Sequence, residues 1–281
     1  MTLAEALAAA TKSLELAGVE SAKTDATWLL AHALKMSKGE LVTKLSLGEQ
    51  IDETGLVDYE SLVAQRQKRI PLQHIIGTAG FLNLELLVGP GVFIPRPETE
   101  VLVELASSYL NQNQTARVLD IGTGSGAIAI SLARAFPQAE VIAIEISPEA
   151  AKYTAENIAG NQVSIELRVG DFRDQIADQV GQIDLLVSNP PYIPLTATPK
   201  EVEVREHDPE VALYSGEDGL DLIREIAALA PILIRPGGKL FLEHADSQSD
   251  QICQLLLAQG ANEVFAHLDL TERLRFVSAS W

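Results

Sequence analysis

The sequence predicts an α/β protein, an open, doubly wound, mostly parallel sheet preceded by a small helical bundle. Three observations carry this. From about residue 93 onward, apolar strand-like runs alternate with helical stretches, the pattern of a sheet covered by helices on both faces. The runs at 117–121 and 183–187 are nearly unbroken in their apolar character, as parallel strands buried on both sides require. Residues 1 to about 77 show only helical periodicity.

The elements follow in order. Thr2 with Glu5 forms a capping box, apolar residues recur at helical spacing, and Gly18 ends the pattern. Thr24 or Asp25 is positioned to cap a second helix through residues 26–34, and shorter helices are expected near 38–46 and 55–69. Four short helices with one apolar face each make a bundle, and nothing in it carries chemistry. Residues 1–77 are therefore expected to be a docking domain. Residues 78–92 alternate with period two between glycines, which predicts a hairpin acting as a linker. Residues 93–281 form the sheet domain, with strands expected at 117–121, 140–146, 164–169, 183–187, 239–243, 263–268 and 274–279. The last two are joined by a short turn, so one antiparallel C-terminal strand is expected in a seven-stranded sheet.

Composition narrows the function. The chain holds 281 residues, 47% of them hydrophobic, and carries a net charge of -18. No run approaches the ~20 apolar residues of a membrane span. Residues Met1–Ala10 include Glu5 and neither Lys nor Arg, unlike a secretory signal. A single cysteine, Cys253, sits in an apolar helical setting and reads as a packing residue. The five His (32, 74, 207, 244 and 267) lack metal-ligand spacing, so no metal is expected. A cytoplasmic, monomeric enzyme fits these features. The acidity argues against naked DNA or RNA as substrate, because phosphate binding needs a basic surface. A local patch around Arg66, Lys68 and Arg69 is the one exception to weigh. The charge otherwise fits either solubility alone or a basic protein partner.

The chemistry is concentrated in three loops at the carboxyl ends of strands, where open α/β sheets bind ligands. Asp120-Ile121-Gly122-Thr123-Gly124-Ser125-Gly126 lies between a strand and a helix, and its glycines allow a close backbone approach. Glu145 ends the next strand, 19 residues past Gly126, where a carboxylate can accept from both ribose hydroxyls. A plain strand-to-helix turn and a dinucleotide site are the competing readings. Against the latter, the glycines are spaced Gly-x-Gly-x-Gly, and Asp120 would repel a pyrophosphate while suiting an ammonium. S-adenosylmethionine, with a nucleoside, an amino acid and no phosphate, fits the loop better. After the third strand, Phe172 can stack on adenine and Asp171 can accept from its exocyclic amine, although Phe172 reads equally well as core.

Asn189-Pro190-Pro191-Tyr192 after the fourth strand is the sharpest signal. Two prolines fix two φ angles and remove two donors. The segment offers the Asn189 Oδ1 and the Pro190 carbonyl as rigid acceptors for the two hydrogens of a planar –NH2, with the Tyr192 ring free to stack on it. Such a corner suits a glutamine amide or the exocyclic amine of a base, and does not choose between them.

Residues 69–100 contain ArgIleProLeuGlnHisIleIleGly (69–77), PheLeuAsnLeu (81–84) and PheIleProArgProGluThrGlu (93–100). Together with the glycine loop, GlyAspPhe (170–172) and SerAsnProProTyrIle (188–193), they resemble the PrmC/HemK glutamine methyltransferases along almost the whole chain. The resemblance implies a class I S-adenosylmethionine-dependent methyltransferase fold with an N-terminal helical domain that engages the substrate. It implies methylation of N5 of the glutamine in the GlyGlyGln motif of class I peptide-chain release factors, modulating translation termination, with S-adenosylhomocysteine as product. It places cofactor contacts at Gly122 to Gly126, Glu145, Phe172 and Asn189, and substrate contacts at Asn189, Pro190, Pro191 and Tyr192. Three positions depart from the family pattern: Glu145 for Asp, Ala245 for a common Gly, and Glu272 for a frequent Gly. A nucleic-acid amine methyltransferase and a non-catalytic binding module on the same scaffold are the alternatives.

Overall fold

The structure, a computed structural model, describes residues 1–111 and 115–281. The chain divides into two compact units, Met1–Thr78 with Pro199–His207, and Ala79–Thr198 with Asp208–Trp281.

The first unit contains α1 (Leu3–Leu16), α2 (Ala22–Ala33), α3 (Lys38–Ser46), α4 (Glu53–Gln67) and α5 (Leu72–Ile76), joined by α10 (Val202–His207). The capping box forms as expected: the Thr2 amide donates to Glu5 Oε2 at 2.8 Å, and the Glu5 amide to Thr2 Oγ1 at 3.1 Å. Leu3, Leu14, Leu29, Leu30, Leu41 and Tyr59 are buried between the helices, each such side chain stabilising the unit by about 1.5–3 kcal/mol. The second helix differs from expectation. It starts at Ala22, so Thr24 and Asp25 lie inside it. Asp25 is buried because its Oδ2 accepts from Arg66 Nε at 2.7 Å, a long-range pair that no local helix-start signal reveals. Arg66 and Arg69 both donate to Glu203 of α10, at 2.6 to 2.8 Å. These two arginines are thus paired with internal carboxylates.

The second unit begins at Ala79, within the first strand of the hairpin β1 (Thr78–Phe81) and β2 (Leu84–Leu87). This differs from the expected linker: Phe81, Leu84 and Leu86 are buried in the unit's core, since a strand with one apolar face must cover it. Then follow α6 (Thr99–Leu110), β3 (Arg117–Ile121), α7 (Ala127–Ala135), β4 (Glu140–Glu145), α8 (Pro148–Asn161), β5 (Ile165–Val169) and α9 (Phe172–Gln175). The remainder is β6 (Ile183–Ser188), α11 (Asp221–Leu233), β7 (Ile234–Glu243), α12 (Ser249–Ala258), β8 (Glu263–Leu268) and β9 (Leu274–Ser280).

The main sheet has seven strands in the order β5-β4-β3-β6-β7-β9-β8. Its first five strands pair in parallel, and β9 runs antiparallel to both β7 and β8. One apolar core lies on each face, one including Leu102, Val118, Ile130 and Leu185, the other Leu119, Ile144, Leu186 and Leu240. Strand order reverses direction between β3 and β6, the switch point at which such sheets open a ligand crevice. Cys253 lies in α12 against the second core, and burial pushes its thiol up. Glu272 holds φ at 62° in the turn before β9, left-handed backbone that favours glycine, so the glutamate at this position sits where a side chain is disfavoured. Among the described residues no helix is long and apolar enough to cross a membrane.

Candidate active site

The loops after β3, β4, β5 and β6 leave the sheet at the carboxyl ends of its parallel strands, those after β3 and β6 on either side of the switch point. Asp120 pairs with Ala143 on one side and Val187 on the other. The backbone amides of Gly122 and Thr123 both donate to the Ile144 carbonyl, at 2.9 and 3.0 Å. Ser188 Oγ donates to the Ile121 carbonyl at 2.6 Å, and the Gly170 amide to the Glu145 carbonyl at 2.8 Å. These bonds lock the four loops to one another.

Within the glycine loop, Gly122, Gly124 and Gly126 have φ of 75°, 58° and 86°, values that residues with a side chain reach only under strain. A Cβ on Gly126 would stand 2.9 Å from Ile130 Cδ1, so that glycine permits close packing. At Gly122 and Gly124 a Cβ would meet nothing within 4 Å, so both backbones border open space. Ser125 and Thr123 are buried behind them.

Asp120 is fully buried, and its Oδ2 accepts from Thr123 Oγ1 at 2.7 Å. Oδ1 has no hydrogen-bond partner of ordinary geometry. Burial pushes the carboxyl up to about 7, against the opposing pull of Thr123 and the Ala129 amide. A buried acid with an unmatched oxygen is suited to a cation. Glu145 is also buried and raised, first by desolvation. Its Oε2 accepts from the Gly124 amide and its Oε1 from the Ser147 amide, both at 2.8 Å. Each oxygen keeps a second lone pair for a ligand hydroxyl.

Asp171 caps α9, with Oδ1 accepting from the Arg173 amide at 3.0 Å and Oδ2 paired with the Arg173 guanidinium. Phe172 is only 6% exposed and belongs to the second core, with the Arg173 guanidinium 5.1 Å from its ring centre. The ring therefore serves packing as much as any ligand.

The Asn189–Tyr192 corner is fixed by residues far away in sequence. Asn189 Nδ2 donates to Thr99 Oγ1 at 3.1 Å, and Thr99 Oγ1 donates to Glu243 Oε2 at 2.7 Å. The Tyr192 hydroxyl donates to Glu243 Oε1 over 3.5 Å. The Tyr192 carbonyl accepts from Gln248 Nε2 at 3.0 Å. Pro190 is buried and Pro191 half-buried. Asp120, the glycine loop and Glu145 are thus tied together at the carboxyl ends of β3 and β4, Asn189 follows the neighbouring β6, and Asp171 and Phe172 follow β5.

Several residues of this arrangement were not anticipated. Thr99 lies within the hallmark stretch 95–100 yet reads as an ordinary helix start. Glu243 ends β7 without any motif. Thr154 and Asn157 of α8 hold the glycine loop from behind: Thr154 Oγ1 donates to the Gly124 carbonyl at 2.6 Å, and Asn157 Nδ2 to the Ser125 carbonyl at 2.9 Å. Asn157 also exchanges two bonds with the backbone of Leu87, which ties the hairpin to the same loop. The signal that could have found them is polarity at buried helical positions, visible only once the buried face is known. Among the described residues no group of three or more His, Cys, Asp or Glu could hold a metal ion.

Residues 5–77 match the PrmC N-terminal domain and residues 83–205 the methyltransferase small domain. Among solved structures, the T. thermophilus 16S rRNA methyltransferase RsmC, in complex with AdoMet and guanosine, aligns with a TM-score of 0.51 at 20% identity. That alignment spans 72% of this chain and 49% of the other. The hMettl16 catalytic domain aligns at 0.53 and 16% identity, over 70% of this chain and 75% of that one. At such identity they show the class I methyltransferase fold alone. Sequence relatives reach further. The release factor glutamine methyltransferase of Streptomyces coelicolor is 46% identical over 99% of this chain and 98% of its own. That of Mycolicibacterium smegmatis is 45% identical over 99% and 97%, and that of Deinococcus radiodurans 39% over 99% and 98%. With identity of this order along both full lengths, the chain is a methyltransferase that belongs to the release factor glutamine methyltransferase family.

Proposed function

We propose that the protein transfers a methyl group from S-adenosylmethionine to N5 of the glutamine in the GlyGlyGln motif of class I peptide-chain release factors, and so modulates translation termination. The observation that carries this reading is the position of Asn189. It follows β6, whose last residue Ser188 donates to the Ile121 carbonyl, with Nδ2 committed to Thr99 and Oδ1 left to accept.

The residues present fit the cofactor. The unmatched Asp120 Oδ1 suits the ammonium of its amino-acid part, the open backbone at Gly122 and Gly124 leaves room for it, and the spare lone pairs of Glu145 suit ribose hydroxyls. Thr123, Ser125 and Gly126 shape the loop, and Asp171 and Phe172 would border the adenine. Bound S-adenosylmethionine supplies a sulfonium methyl and leaves as S-adenosylhomocysteine.

An amide nitrogen is a weak nucleophile because its lone pair is delocalised into the carbonyl. The Asn189 Oδ1 and the Pro190 carbonyl accept its two hydrogens and orient the nitrogen in line with the methyl. As the nitrogen gains positive charge, the same acceptors hold it more strongly than in the ground state, so their binding is differential. Pro191 stiffens the segment, and Tyr192 borders the amide. No general base is required, since the nitrogen is acidic once methylated and sheds its proton to solvent.

The helical unit carries no catalytic group and is read as the docking element for the release factor. A net charge of -18 suits a partner that is basic where it meets ribosomal RNA. A competition assay tests the reading: labelled S-adenosylmethionine, a class I release factor and ribosomal RNA are mixed with the protein. Label is expected on the release factor. Label on the RNA alone would overturn the proposal.

A further inference from the structure

The mechanism above needs Asn189 to present its oxygen, not its NH2, to the target nitrogen. An amide is nearly symmetric in shape, and nothing in Asn189 itself makes that choice. Its neighbours do. Thr99 and Glu243 are buried, at 4% and 2% exposure, and stand 144 residues apart in sequence. A hydroxyl has one hydrogen and a carboxylate has none. Thr99 must therefore spend its hydrogen on Glu243 Oε2, at 2.7 Å, and can only accept from Asn189, at 3.1 Å. The amide is forced to turn Nδ2 toward Thr99 and Oδ1 away from it.

We propose that Glu243, acting through Thr99, is the positioning residue that fixes the polarity of the Asn189 amide and so makes it an acceptor for the substrate nitrogen. This rests on the function proposed above. Protonated Glu243 would donate to Thr99, whose hydrogen would then pass to Asn189 Oδ1. The amide would flip and set a donor against a donor, which defeats the alignment.

The groups facing Glu243 are Thr99 and Glu98 at the start of α6, Tyr192 in the corner, and Arg275 on β9. Burial pushes its carboxyl up to about 7, opposed by the Thr99 hydroxyl and Arg275 and reinforced by Glu98. The switch between the two arrangements consequently falls near neutral pH. Asp120 titrates in the same range, but its effect enters through cofactor affinity and vanishes at saturation.

The test compares wild type, Glu243→Gln, Thr99→Val and Thr99→Ser, all with saturating S-adenosylmethionine and a class I release factor. Wild-type kcat is expected to fall as pH drops through about 7. Glu243→Gln keeps an acceptor for Thr99 but cannot titrate, so it should lose that pH limb. Thr99→Val, which breaks the relay, should lower kcat on the order of tenfold to a hundredfold with cofactor affinity retained. Thr99→Ser should restore both. In parallel, nitrogen-15-labelled asparagine reports the Asn189 NH2 resonances, assigned by their loss in Asn189→Ala. They should shift with pH in the wild type and stay fixed in Glu243→Gln. Identical pH profiles, or identical NH2 titrations, in wild type and Glu243→Gln would overturn the inference. If the wild type leaves the release factor unmethylated, the proposed function fails, while the resonance titration still decides the role of Glu243.

Discussion

Gly219 lies so close to Tyr192 that a Cβ built on it would stand 2.2 Å from the Tyr192 carbonyl oxygen. The obstacle is backbone, which cannot rotate aside as a side chain could. Gly219 also holds φ at 80°, a second reason for glycine. The same carbonyl receives Gln248 Nε2, so the end of the Asn189–Tyr192 corner is held from two directions. Gly219→Ala should displace the corner, destabilising the protein by about 1–3 kcal/mol. It should also lower single-turnover methylation by up to about a hundredfold. Thermal unfolding and rapid-quench kinetics measure the two effects. A variant with wild-type kinetics would show that the corner tolerates movement.

Asp120 offers a prediction with a definite sign. Its carboxyl is raised from an ordinary 3.8 to about 7, mainly by burial. In the free protein the folded state therefore holds a proton that the unfolded state gives up. This group's contribution to stability declines as pH rises across that interval. A cationic ammonium against Oδ1 would favour the charged form and expel the proton. Binding of S-adenosylmethionine near neutral pH should thus release a proton, seen as a calorimetric enthalpy that varies with the ionisation enthalpy of the buffer. Asp120→Asn should remove that variation and weaken binding roughly tenfold or more. Equal enthalpies across buffers in the wild type would take Asp120 out of the ammonium site.

Glu203 predicts the opposite pH behaviour in the helical unit. Burial would raise its carboxyl, yet Arg69 and Arg66 together hold it down to about 2 from an ordinary 4.5. A depressed value means that stability is fully present above the ordinary value and is lost as pH falls toward the lower one. Glu203→Gln should therefore cost about 1.5–3 kcal/mol at neutral pH and flatten the acid limb. Unfolding followed by circular dichroism across acidic pH measures both. An unchanged acid limb would mean that the two arginines stabilise without this partner.

What the sequence revealed follows from how local each signal is. The glycine loop, Glu145 and the Asn189–Tyr192 corner are short patterns at strand ends, and the alternation of strands and helices places them on one edge of the sheet. Asp25 looked like a helix cap because a carboxylate near a helix start usually is one. Its true partner, Arg66, lies 41 residues on. Thr99 and Glu243 were invisible for the same reason: each is ordinary in its own segment, and their meaning comes from a hydrogen bond across 144 residues. The 78–92 hairpin gave away its strands but not its allegiance, since alternation shows that one face is buried without showing against what. Asn157 supplies that answer by binding Leu87 and the glycine loop together.

The central claim is the identity of the methylated atom. Tandem mass spectrometry of a class I release factor, incubated with the protein and S-adenosylmethionine, tests it most directly. A gain equal to one CH2 is expected on the glutamine of the GlyGlyGln motif. None is expected when that glutamine is replaced by glutamate, which offers no NH2, or by asparagine, which is one methylene too short to reach the methyl. The gain should also disappear with Asn189→Ala. A methyl group found on another residue, or an unmodified GlyGlyGln peptide beside methylated RNA, would contradict the account.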